Sequence, residues 1–381
     1  MNFSRRHVVL SFAALGLSAC GDAIPAGPVR NRSTKLPADL RPVPNSAYDA
    51  WVRSFRQRAK SKGISNATLS AGFRYTGYLP GVVKRDRNQI EFKRTLEDYL
   101  SIAASDERVS KGRAAFVRHR TTLDTLESRY GVDAEIIAAI WGLESFFGER
   151  RGDVPVISAT STLAFDGRRG SFFEKQLIAA LEILQNGDVS AAKMTGSWAG
   201  AMGHTQFIPT SFQAFAVDFT GDGPRDIWSE DPTDALASTA AYLSRNGWKR
   251  GTRWGGEVGS IGAGSTILQP QAGGPQFGVT GNFRAIKRYN NSDAYAIGVG
   301  HLADRIGGGG PLRASFPPDE NGLSKDDRVA LQQCLTRQGF DTDGSDGVIG
   351  PNSEKAIRAY QASRGLPVTG RPSLELLQSL R

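Results

Sequence analysis

From Tyr48 to about Ile306 apolar residues recur at helical spacing with few interruptions, and this periodicity restricts the chain to a mainly helical fold. Segments 90–103, 110–130, 133–148, 174–187, 234–247 and 292–306 each read as a helix. Between 250 and 288 a Gly-rich stretch suits short strands and loops. Gly307 to Gly310, followed by PLRASFPPDENG, reads as a linker by composition. The punctuation divides the chain into a large domain over 46–306, a linker over 307–322 and a module over 323–381. A unit as small as the last has a limited core and suits binding better than catalysis.

The start of the chain, MNFSRRHVVLSFAALGLSAC, pairs Arg5 and Arg6 with an apolar run from Val8 to Leu17. This is the pattern of an export signal over 1–20, too short to span a membrane as a mature helix. Leu17-Ser18-Ala19-Cys20 resembles a bacterial lipobox, which makes Cys20 the expected lipidated residue. Ser4-Arg5-Arg6 also resembles a twin-arginine export signal. Residues 21–45 are polar and Pro-rich, as in an extended tether. The expected location is the periplasm, with a lipid anchor in the outer membrane. Two cysteines and four histidines, none at ligand spacing, exclude a disulfide framework and a zinc site. The net charge of +9 favours an anionic partner. Nucleic acid is out of place for an exported lipoprotein.

Within WGLESFFGER, Glu144 stands among Trp141, Leu143, Phe146 and Phe147. Asp133 is the expected N-cap of its helix and Gly148 the expected stop. Ile137, Trp141 and Glu144 share one stripe, so the carboxyl points to the interior or to a cleft wall. Burial without a cation raises a carboxyl pKa, as a general acid requires. The alternative is a structural glutamate paired with Arg150, Arg151 or a more distant arginine.

The segment SWAGAMGHTQFIP, from Ser197 to Pro209, resembles the signature of the membrane-bound lytic transglycosylase B family. GLESFFG over 142–148 resembles that family's catalytic-glutamate helix, and Arg288-Tyr289-Asn290-Asn291-Ser292 with Tyr295-Ala296 its third motif. The three stand in family order across roughly 46–306. The resemblance implies a lysozyme-like helical catalytic domain that cleaves the β-1,4 bond between N-acetylmuramic acid and N-acetylglucosamine. The muramic 6-hydroxyl is then the nucleophile and a 1,6-anhydro end the product. Glu144 carries over as sole acid/base, and Ser197, Gln206, Tyr289, Asn290 and Tyr295 as substrate-binding candidates. His204, Thr205 and Gly167 depart from the family pattern, with Phe172 and Phe173 as candidate replacements for sugar stacking. A glycosidase that uses water needs a second carboxylate. Asp153 and Asp166 are available, but no spacing rule pairs either with Glu144.

Asp218-Phe219-Thr220-Gly221-Asp222-Gly223 matches the first half of an EF-hand loop. Ser229 at the twelfth position spoils the second half. The resemblance suggests a variant calcium site of Asp218, Thr220, Asp222 and Asp234, and the alternative is a metal-free turn. No cofactor is otherwise implied. In the C-terminal region, Asp346-Gly347-Val348-Ile349-Gly350, Ala359-Tyr360-Gln361 and Gly365-Leu366-Pro367 resemble the peptidoglycan-binding domain 1 family, a three-helix module. Both resemblances name peptidoglycan as the partner, whose stem carboxylates suit the positive charge. The remaining alternatives are a hydrolytic muramidase and a non-catalytic wall-anchoring lipoprotein.

Overall fold

The computed structural model describes residues 36–88, 95–260 and 262–381. The export signal, Cys20 and the tether as far as residue 35 lie outside the described residues. Among the described residues, no helix is long and apolar enough to cross a membrane.

The architecture is mainly helical. The large domain contains α1 (Ser46–Ser61), α2 (Asn66–Gly72), α3 (Pro80–Arg87), α4 (Leu96–Ala103), α5 (Asp106–Arg118), α6 (Arg120–Tyr130) and α7 (Ala134–Ser145). After these come α8 (Val156–Asp166), α9 (Gly170–Gln185), α10 (Pro209–Phe215), α11 (Thr233–Arg245), α12 (Gly281–Tyr289) and α13 (Asp293–Ile306). The helix expected over 110–130 is two helices that meet at His119, whose φ of −107° and ψ of 21° break the helical path. Its ring packs edge-on against Trp141 at 5.3 Å, so a tertiary contact holds the break in place.

At the centre lies α7, where Ile136, Ile137, Ala138, Ala139 and Ile140 are all nearly or fully buried. A helix apolar on every side can only be a core helix. α5, α6, α11 and α13 pack around it. The Gly-rich stretch forms β3 (Gly255–Glu257), β4 (Thr266–Leu268) and β5 (Phe277–Val279), an antiparallel sheet in the order β3-β5-β4. Earlier in the chain, β1 (Val154–Pro155) pairs antiparallel with β2 (Thr195–Gly196) and brings the segments after α7 and before Ser197 together.

The C-terminal module is α14 (Lys325–Arg337), α15 (Pro351–Ser363) and α16 (Leu374–Leu380) around its own core, which includes Leu331, Leu335, Ile357, Tyr360 and Leu377. Its first helix is set so that Arg328 is buried and Val329 only half-buried. Arg328 reaches out of the module to α4, with Nη2 2.6 Å from Glu97 and 3.2 Å from Asp98. Nε donates to the carbonyl of Gly347, so the same side chain also holds the module's Asp/Gly loop.

Removing one member of a buried ion pair typically costs about 3–5 kcal/mol, because the partner charge stays buried. Arg328→Ala is expected to lower the melting temperature and to speed proteolysis within 307–322. Unchanged melting and cleavage would mean that this contact does not fasten the module.

Candidate active site

The helix that carries Glu144 stops at Ser145, three residues before the expected glycine. Phe146 (φ 53°) and Phe147 (φ 59°) follow in left-handed backbone, and Gly148 (φ 90°) completes the reversal. Two consecutive non-glycine residues in this region cost roughly 1–2 kcal/mol each, so packing must hold them. Phe147 folds back onto Gly142, where a Cβ would come within 2.5 Å of its ring. The Ser145 hydroxyl accepts from the Gly148 amide at 3.0 Å and donates to the His204 carbonyl. This second bond ties the turn to the SWAGAMGHTQFIP segment.

Glu144 is 9% exposed and lines a cleft of about 950 Å³. Tyr295, 151 residues away on α13, donates its hydroxyl to Oε1 at 2.6 Å. Burial drives the Glu144 pKa up to about 8, and the Tyr295 hydrogen bond only partly opposes it. Among the described residues no arginine pairs with this carboxyl. Arg151 instead bonds the Trp228 and Ser229 carbonyls and Glu230. Arg150 lies over the Phe146 ring.

Ser197 and Gln206 also line the cleft. The Ser197 hydroxyl accepts from the Ala199 and Ala201 amides, a local turn bond. Gln206 has φ 54°, and its Nε2 donates to the Arg151 and Gly203 carbonyls at 2.9 Å. That pairing uses the amide nitrogen and orients the residue. Tyr289 lies deeper, with its hydroxyl on the Thr205 carbonyl at 2.6 Å. Asn290 is 7% exposed, and its buried Oδ1 has no partner among the described residues.

His204 acts as a linking group. Trp141 Nε1 donates to its Nδ1 at 3.1 Å, which places the ring proton on Nε2, 2.7 Å from the Ser229 carbonyl. Burial lowers its pKa to about 4, so the ring is neutral in near-neutral solution. Phe172 and Phe173 do not stand in for missing stacking residues, because they pack edge-on against each other at 5.1 Å and neither lines the cleft. The aromatic lining comes from Phe146, Trp198 and Trp228. Trp198 was visible inside its motif, but no sequence signal marked Trp228. Asp153 lines the cleft, whereas Asp166 pairs with Arg87 at 2.7 Å.

Asp218, Asp222 and Asp234 bring one carboxylate oxygen each to within 4.8 Å of one another. The Thr220 hydroxyl sits between Asp218 and Asp222 at 3.3 and 3.1 Å. These are hard oxygen donors suited to calcium. Ser229 and Glu230 face elsewhere, towards Asp231 and Arg151.

A family model described as Transglycosylase SLT domain matches residues 47–266 and again 259–304. The chain belongs to this family. Its large domain accordingly has the lysozyme-like lytic transglycosylase fold. A model described as Putative peptidoglycan binding domain matches residues 324–380. Membrane-bound lytic murein transglycosylase B of Escherichia coli K12 is 31% identical over 233 residues, 52% of this chain and 64% of that relative. The chain therefore spans somewhat less than two thirds of that relative's length. SltB3 of Pseudomonas aeruginosa, solved with NAG-NAM-pentapeptide, is 42% identical with a TM-score of 0.69, covering 88% of this chain and 100% of its own. Escherichia coli Slt35, solved with calcium, is 26% identical with a TM-score of 0.57, covering 69% and 93%.

A carboxyl whose pKa is raised on folding weakens the fold once the unfolded chain can ionise. The penalty grows from about pH 4.5 and levels off above about pH 8. Glu144→Gln keeps an acceptor for Tyr295 and removes the penalty. At pH 7.5 it is expected to be more stable than the parent by roughly 4 kcal/mol, since pH 7.5 lies about three units above the unfolded pKa and one pKa unit is about 1.4 kcal/mol. The gain should vanish at pH 4.5. Thermal melts at both pH values measure it, and equal stability at pH 7.5 would mean that the carboxyl is ionised and solvated.

Proposed function

We propose that the protein is a lytic transglycosylase of peptidoglycan in which Glu144 is the only acid/base. The observation that carries this reading is a carboxyl held neutral on a cleft wall by burial, with one oxygen engaged by Tyr295. With Oε1 accepting from Tyr295, the proton resides on Oε2 and is free for the substrate. Glu144 donates that proton to the oxygen linking N-acetylmuramic acid to N-acetylglucosamine, and the glycosidic bond breaks. The carboxylate then takes the proton of the muramic 6-hydroxyl as its oxygen attacks C1, closing a 1,6-anhydro ring. The proton count on Glu144 is restored without water. SltB3 has also been solved with NAG-anhNAM-pentapeptide, an anhydro sugar of the kind this mechanism leaves.

Gln206 and Asn290 position the sugar, and Ser197 shapes the turn beneath it. Tyr289 and Tyr295 are protonated at all working pH values, since burial raises both phenols well above their ordinary range. The C-terminal module holds the wall. Cys20 carries the lipid that keeps the enzyme in the periplasm at the outer membrane, a reading that rests on the leader sequence alone. Asp153 on the same cleft wall gives a hydrolytic rival its required second carboxylate.

Digestion of purified sacculi should release fragments with anhydro ends. Glu144→Gln should lose at least a hundredfold in rate, the low end of the usual contribution of a general acid. Fragments that all carry added water would replace this reading with hydrolysis. Full activity in Glu144→Gln would remove the carboxyl from the chemistry. As the acid must be protonated, kcat should fall as pH rises through about 8.

Asp218, Thr220, Asp222 and Asp234 would hold one calcium ion, which would fasten the loop ahead of α11. Calorimetry should give a binding heat for calcium that Asp222→Ala abolishes, with a higher melting temperature in calcium than in chelator. No heat and no shift would leave the loop as a metal-free turn.

A further inference from the structure

The cations that line the cleft are not all paired with a carboxylate. Arg108, on α5, is 4% exposed and lines the cleft beside Leu143, Glu144, Phe146 and Arg150. Arg85 and Arg151 on the same wall are paired with Asp39 and Glu230. Arg108 has no carboxylate partner among the described residues. Its Nη1 donates to the Ile102 carbonyl, and its buried Nε has no acceptor among the described residues. Burial lowers its pKa to about 10, which leaves it charged near neutrality.

A buried cation without a counter-ion is costly, and an anion offsets that cost. Arg150 brings a second guanidinium to the same place. Arg108 lies 5.3 Å and Arg150 4.4 Å from the centroid of the Phe146 ring. Lys111 also lies over this ring, at 4.4 Å, but its charge is met by Glu149 at 2.6 Å. Arg150, like Arg108, has no carboxylate partner among the described residues. The left-handed backbone at Phe146, two residues after Glu144, puts this ring where both arginines meet it.

We propose that Arg108 and Arg150, seated on Phe146, form a subsite for a carboxylate of the glycan substrate in the cleft that Glu144 lines. A guanidinium binds a carboxylate through paired N–H donors, and a second cation strengthens the contact. The inference rests on the peptidoglycan reading. That polymer offers the carboxylate from two sources: the lactyl group of muramic acid where the stem has been removed, and the stem peptide where it remains.

The test compares wild type, Arg108→Gln and Arg150→Gln on three kinds of glycan strand. One keeps its stem peptides, one has been stripped to the free lactyl acid, and one has all carboxylates converted to methylamides. A charge-assisted hydrogen bond is worth a factor of about ten or more in affinity. Each substitution is therefore expected to raise KM by about tenfold more on one carboxylate-bearing strand than on the methylamide strand. The strand that shows the effect identifies the source. An equal loss on all three strands, or none on either charged strand, overturns the subsite. Arg150 is exposed, so its variant decides the matter if Arg108→Gln fails to fold. Binding of the same strands to the Glu144→Gln protein reads the subsite without turnover. Failure to produce anhydro ends would thus count against the proposed reaction and leave the binding comparison to judge the subsite.

Discussion

The hydrogen bond from Tyr295 to Glu144 joins two helices that are far apart in sequence and adjacent in space, α7 and α13. Around it the protein meets a single physical condition: a carboxyl dry enough to hold its proton that still lines an open cleft. The apolar surface of α7 supplies the dryness. Tyr295 supplies orientation by engaging one oxygen. A salt bridge here would have ionised the group. The surrounding arginines are accordingly occupied by Glu230, by carbonyl oxygens or by the Phe146 ring.

The turn after Glu144 shows how much structure this arrangement requires. Phe146 and Phe147 both adopt a backbone that suits glycine, against an intrinsic preference of roughly 1–2 kcal/mol each. Phe147 is retained because Gly142 leaves room for its ring one turn back. Ser145 and His204 tie the turn to the segment that carries Gln206. Trp141, His204 and the Ser229 carbonyl extend this link to the loop ahead of α11. The helix of Glu144, the segment of Gln206 and the loop ahead of α11 are therefore one connected network.

The limits of a purely linear reading follow from the same contacts. The helical periodicity was legible because apolar spacing depends on backbone geometry alone. Glu144 stood out as an ionisable group on an apolar stripe, and the cleft residues Ser197 and Gln206 stood inside a recognisable segment. The break at His119 was hidden, since its cause is contact with Trp141 on another helix. The stop at Ser145 was misplaced by three residues because the glycine rule assumes that only glycine takes positive φ. Phe172 and Phe173 looked like sugar platforms, but they serve the core instead. Arg108 carried no signal, because a single arginine on an amphipathic helix reads as a solvated charge.

The sequence by itself determined the helical class and the family motifs, both of which rest on local spacing and residue type. Tertiary structure decided which oxygen of Glu144 Tyr295 engages, which arginines are left without a counter-ion and how Arg328 fastens the module to α4. These last features depend on side chains brought together across as many as 231 residues, and no local rule encodes which distant charge will be desolvated beside which other.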